Sequence, residues 1–138
     1  MKEVTMLIFT MTKEELPVFE DMLPDHVKEH FGLPGYFTTG ALDDEGFPIG
    51  ALQFHIDGDP SKVYIANLEY VYVVPEGRRE SIAWQLHKNY MQVLFDAQIP
   101  ISQADCGENT DEELRAFLIA LGYKPLGNGR FLLNSNRP

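Results

Sequence analysis

Val73-Val74-Pro75-Glu76-Gly77-Arg78-Arg79-Glu80-Ser81-Ile82-Ala83-Trp84-Gln85-Leu86 reads as a strand that ends in a turn and opens directly into a helix. The start of a helix presents unpaired backbone N–H groups and the positive end of a dipole, so it can hold a phosphate. Small residues at Ser81 and Ala83 let an extended ligand approach that backbone, and Arg78 or Arg79 can pair with phosphate oxygens. In outline this is a pyrophosphate site, and the plainer alternative is a solvated turn between a strand and a helix.

Working outward, Ile82, Leu86, Tyr90, Val93, Leu94 and Ala97 fall on one face of a helix over 81–97, which should pack against a sheet. Upstream, 63–74 is a long β-rich run. Before it, 36–42 and 47–56 form a hairpin closed by Asp43-Asp44-Glu45-Gly46, and 57–61 is a second turn. Residues 3–10 read as a first strand. Thr12-Lys13-Glu14-Glu15 has the spacing of a capping box, which predicts a helix start there. Leu16, Phe19, Met22 and Leu23 continue at helical spacing, Pro24-Asp25 interrupts, and a second short helix runs to His30 before Gly32, Pro34 and Gly35.

Downstream, 99–106 resembles a strand. Leu114, Phe117, Leu118 and Leu121 mark an amphipathic helix closed by Gly122, and Gly127-Asn128-Gly129 sits between the arms of a last hairpin, 123–126 and 130–133. The order β, α, α, β, β, β, α, β, α, β, β implies an α+β fold with a mixed, mostly antiparallel sheet flanked by helices. With 138 residues, no repeat and no linker, one domain over 1–138 is expected.

Composition excludes several classes. A single cysteine, Cys106, allows no intrachain disulfide and no cysteine metal cluster, which fits a cytoplasmic home. No apolar run approaches the roughly 20 residues needed to span a bilayer, and the first residues lack the marks of a signal peptide. The net charge of −10 opposes nonspecific binding to nucleic acid or anionic membrane and favours a cationic small molecule or basic peptide.

In register, the opening segment resembles the signature of the GCN5-related N-acetyltransferases (GNAT), V-x-P-x-x-R-x-x-G-x-G/A at the end of the fourth strand. Val73, Pro75, Arg78, Ile82, Ala83 and Leu86 match, Ser81 stands where glycine is usual, and the order of elements resembles the whole family fold. The resemblance implies an acetyl-CoA-dependent N-acetyltransferase acting on an amine of a small molecule or peptide, with no metal. It places the CoA pyrophosphate on the backbone amides of Arg79, Glu80, Ser81, Ile82 and Ala83, with Arg78 in the same turn. The strand from Val71 to Val73 would hold the pantetheine arm, and its amides would stabilise the oxyanion. The alternative is a GNAT-fold acyl-CoA-binding or interaction module with impaired catalysis. Asn109 to Tyr123 resembles the family's later helix stretch, Gly122-Tyr123 fits, and Leu118 takes the place of a tyrosine that often protonates the leaving thiolate. A homodimer is compatible with the sequence.

For the base that takes the amine proton, Glu69 is the first choice. Under strict alternation it shares a face with Val63, Ile65, Asn67, Val71 and Val73, although a bulge would shift that parity. Tyr70 and Tyr72 fall on the opposite face as packing residues. His26-Val27-Lys28-Glu29-His30 matches H-x-x-E-H, but its short helix and the want of a third ligand favour surface histidines over zinc. Cys106 reads as core, His55 and His87 as structural, with His55 a candidate for lining an acceptor pocket, and Asp43-Asp44-Glu45 as a soluble hairpin tip.

Overall fold

The computed structural model describes residues 6–58, 64–74, 82–105 and 112–134. In chain order the elements are β1 (Met6–Thr10), α1 (Leu16–Phe19), α2 (Asp25–His30), β2 (Tyr36–Asp43), β3 (Pro48–Asp57), β4 (Ile65–Val73), α3 (Ile82–Asp96), β5 (Ile101–Asp105), α4 (Glu112–Ala120), β6 (Lys124–Gly127) and β7 (Arg130–Asn134). This is the order read from the sequence. The strands form one sheet, β1-β2-β3-β4-β5-β7-β6, antiparallel throughout except where β4 runs parallel to β5.

The β2–β3 turn closes as its residues dictate. The Asp43 carboxylate accepts the backbone N–H groups of Glu45 and Phe47, both at 2.9 Å, and Gly46 takes the left-handed conformation, φ 86°. The capping-box expectation needs correction. The Thr12 hydroxyl meets the Glu15 carboxylate and accepts the Glu14 N–H, so these residues make a turn, and the helix begins only at Leu16 with Glu15 as its N-cap. Pro17, early in α1, fits there because first-turn N–H groups have no helical partner.

Each sheet face buries its own core. On one side α1 and α2 cover Met11 and Ala51 with Phe19, Leu23 and Val27, and α1 sits close because Gly40 lies beneath it: a Cβ there would come 2.6 Å from the Phe19 ring. On the other, α3 lays Ile82, Leu86, Tyr90 and Leu94 over Ala41, Leu52, Phe54, Ala66 and Val73. Next to it Leu118 of α4 packs with Ala104, Tyr123 and Phe131. Gly50 has the role under α3 that Gly40 has under α1: a Cβ there would stand 3.0 Å from Leu86, 3.2 Å from the Tyr72 carbonyl and 3.3 Å from Ile82. Since Gly50 pairs with Val73, this close approach seats the first turn of α3 against the end of β4.

Candidate active site

The strand β4 changes partners along its length. Ile65 to Leu68 pair with Ile101 to Ala104 of β5, and the ladder ends there. β5 continues to Asp105, which pairs with Arg130 of β7, while β4 continues to Val73 on its β3 side. Among the described residues the parallel ladder stops short of Glu69 and Asp105, both exposed, and this end of the ladder is the fork.

Glu69 owes its position to a bulge. Phe54 pairs with Leu68 and Gln53 with Tyr70, so Glu69 is the extra residue in β4. The bulge corrects the strict-alternation expectation. Ala66 and Leu68 face α3 before it, Val71 and Val73 face α3 after it, and Ile65 and Asn67 do not share their side. Glu69 is thus set at the change of parity, and its charge adds, after burial and the neighbouring Tyr123, to what raises the pKa of the Tyr90 phenol.

Tyr70 lies on the opposite face, where the packing role assigned to it holds. Its hydroxyl donates to the Met22 carbonyl at 3.0 Å and its ring meets His26 edge-on. Burial, aided by the neighbouring Tyr72, pushes its pKa up to about 12, so the phenol stays neutral. Further across that face His30, Tyr36 and His55 stack in series, with ring centroids 4.4 and 4.3 Å apart. His30 Nδ1 also lies 3.3 Å from the Gln53 side-chain oxygen. The amide nitrogen of buried Gln53 donates to the Val27 carbonyl and the Thr38 hydroxyl. The two histidines of the H-x-x-E-H segment are therefore divided between different neighbours, and His55 is a stacking residue.

A set of residues that sequence reading missed lies under α3. Tyr90 and Ser102 are 2.7 Å apart, Ser102 and Tyr123 2.7 Å, and Tyr123 and His87 Nε2 2.8 Å, all buried. One polarity gives every hydroxyl a partner: Tyr90 donates to Ser102, Ser102 to Tyr123, and Tyr123 to an unprotonated His87 Nε2. Burial agrees with it, lowering the His87 pKa to about 4 and raising both phenols. The signal was present as polar residues at inward positions, Ser102 alternating with Ala104 and His87 beside Leu86, but no single segment holds the chain.

Of the residues expected to bind CoA, Arg78, Arg79, Glu80 and Ser81 lie outside the described residues, as does Cys106. Val71 and Val73 form the fork side of β4, and Ile82 and Ala83 open α3 beside it. Ile82 and Val73 turn their side chains into the core, so what they can offer a ligand is backbone. At Val71 this suits an extended amide-bearing arm, which the edge of a strand can pair with as another strand would. Leu118 is fully buried and fills the α4 position with hydrocarbon.

A parallel pair that forks beside a bulge, with a long helix starting at the fork, defines an acyltransferase architecture. The chain belongs to the Acetyltransferase (GNAT) family, whose model matches residues 5–123. It is accordingly an N-acetyltransferase, and acetyl-CoA is the acyl donor of its family.

No curated protein matches the sequence. Among solved structures, the ribosomal-protein-S18-alanine N-acetyltransferase from Escherichia coli is 12% identical, with a TM-score of 0.77 over 97% of this chain and 96% of that one. The aminoglycoside antibiotic 6′-N-acetyltransferase from Acinetobacter baumannii is 20% identical, with a TM-score of 0.70 over 88% and 92%. AtaT, complexed with acetyl-methionyl-tRNAfMet, is 14% identical, with a TM-score of 0.71 over 95% of each chain. At these identities the likeness is one of fold. The AtaT complex also shows that the fold itself does not bar nucleic acid, so the expectation of none rests on acidic charge alone. No described helix is long and apolar enough to cross a membrane.

Proposed function

We propose that this enzyme transfers an acetyl group from acetyl-CoA to an amine of a small molecule or peptide, with Glu69 as the base. The observation that carries the reading is the coincidence of bulge and fork: the extra residue of β4 is a carboxylate, exposed where β4 and β5 part. Acetyl-CoA supplies an activated thioester. The chain supplies the rest. The edge of β4 at Val71 and Val73 holds the arm and offers amide hydrogens to the carbonyl oxygen as charge develops on it. The backbone from Arg79 to Ala83, at the mouth of α3, together with Arg78, takes the pyrophosphate. Glu69 removes the proton from the attacking ammonium, directly or through a water, which frees the nitrogen lone pair. Leu118 has no proton to give, so the thiolate leaves unassisted from α4, as a thiol of ordinary acidity can near neutral pH. A net charge of −10 and the acidic β2–β3 tip support a cationic acceptor.

The test is thiol release from acetyl-CoA across a panel of amines, for the native enzyme and Glu69→Gln. The amide keeps the bulge and removes the base, so kcat/KM should fall by about 10²-fold or more, with acetyl-CoA affinity and melting temperature unchanged. Full turnover by Glu69→Gln on the best amine would remove Glu69 from the mechanism.

A further inference from the structure

The end of the sheet away from the fork holds a second concavity. β5 runs toward the fork from Ile101 and β7 runs away from it to Asn134, and these two residues pair at the far end. There the outer side of α3 and the β5-β7-β6 strands enclose a groove of about 1110 Å³. The reading of the fork neither supports nor requires it.

The groove has two kinds of lining. Its walls are largely hydrocarbon, from Met91 and Phe95 on α3 and Leu126 and Leu132 on the last hairpin. Phe95 is 58% exposed and Leu126 51%, so apolar surface is left open on both sides. The charged residues lining it are of one sign, Lys88 and Lys124, with no carboxylate among the described lining residues. Both lysines are exposed, and among the described residues neither is in an ion pair. In a chain with 21 acidic and 11 basic residues, an apolar groove whose charges are two unpaired lysines is locally opposite to the molecule. His87, which also lines it, is held neutral by its place in the buried chain.

We propose that this groove binds a long-chain carboxylate of the fatty-acid class, its tail along Met91, Phe95, Leu126 and Leu132 and its head at Lys88 and Lys124. Apolar burial supplies the attraction for the tail, and the lysines select an anionic head over a neutral or cationic one. A second copy seated groove to groove is the weaker occupant, because it would set Lys88 and Lys124 of one copy against the same lysines of its twin, with each copy carrying a net charge of −10.

The experiment is a fluorescence titration of the full chain with dansyl-undecanoate, followed by displacement with laurate. Saturable one-to-one binding displaced by laurate is expected. Lys88→Glu/Lys124→Glu alters only exposed side chains, should melt at the native temperature, and should weaken binding about tenfold or more, the loss of roughly 1.4 kcal/mol. Phe95→Ala should weaken it as well. Equal affinity in the double lysine variant, or equal displacement by a dodecyl chain bearing a trimethylammonium head, would overturn the assignment of the head group. A dimer in sedimentation that laurate does not dissociate would give the groove to a second copy and overturn the site.

Discussion

The two halves of β4 belong to one strand but are held differently. Ile65 to Leu68 is fixed on both edges, by β3 and by β5, and from above by the buried chain, since Ser102 lies opposite Ala66. Glu69 to Val73 has β3 on one edge and leaves the β5 ladder on the other. It is steadied across its faces instead, by α3 lying close on Gly50 and by Tyr70 bonded to Met22. One residue separates these regimes. The rigid half fixes where the β4–β5 ladder ends, and the other half, to which the arm of the acyl donor is assigned, keeps its faces packed beyond that end.

Deleting Glu69 has the largest expected effect, because it erases that boundary. With Glu69 gone, Leu68 and Tyr70 follow one another opposite Phe54 and Gln53, so regular alternation keeps Val71 and Val73 toward α3 and Tyr70 and Tyr72 toward α1 and α2. The fold should therefore survive, while the bulge and the proposed base are lost together. Thiol release from acetyl-CoA should fall by about 10²-fold or more, at least as far as in Glu69→Gln, with circular dichroism melting close to native. A deletion variant that turns over like the native chain would mean that neither the bulge nor its carboxylate serves the reaction.

The same residue marks how far the sequence could be read. The order of elements was legible because periodicity and turn residues are local, and Gly122 punctuates as glycine does in most chains. The helix at Thr12 was placed too early, since a hydroxyl and a glutamate three residues apart can satisfy each other without a helix. The bulge was recognisable only as a possibility. Strict alternation along Val63 to Val73 is a property of one strand, whereas an extra residue is defined against a partner, here Phe54 and Gln53. Glu69 could thus be named from its neighbourhood, but the reason for its position lies in β3. The buried chain was harder still, because Tyr90, Ser102 and Tyr123 come from different elements and each looks ordinary in its own.

The rigid half can be loosened by acid. His87 is held near pKa 4 in the folded protein, against about 6.5 when unfolded, so the unfolded state binds more protons between these values. Stability from this group is complete above about pH 6.5 and is lost as pH falls toward 4, a loss on the order of 3 kcal/mol. Protonation also turns the acceptor at the end of the hydroxyl chain into a donor, which reverses the demand on Tyr123. Urea unfolding at several pH values should show that slope, and His87→Gln, which can still accept from Tyr123 but does not titrate, should flatten it. An unchanged slope in the variant would assign the acid loss to carboxylates.

The open half is tested from above, at Gly50, with a smaller expected effect. Alanine there needs the tip of Leu86 to give a few tenths of an ångström. Valine sets further atoms against the Tyr72 carbonyl and Ile82, one of them backbone and the other in the first turn of α3. Overpacking of this kind costs about 1–3 kcal/mol, and the first turn of α3 is the part to lift, because it is held by one buried side chain, Ile82, while Leu86, Tyr90 and Leu94 hold the rest. Gly50→Val should therefore raise the KM for acetyl-CoA, whose phosphates are assigned to that turn, more than the KM for the amine, with Gly50→Ala between it and the native enzyme. If both constants rose together, the close approach at Gly50 would serve the core alone, and the steadiness of the fork side of β4 would have to come from the α1–α2 face, through Tyr70.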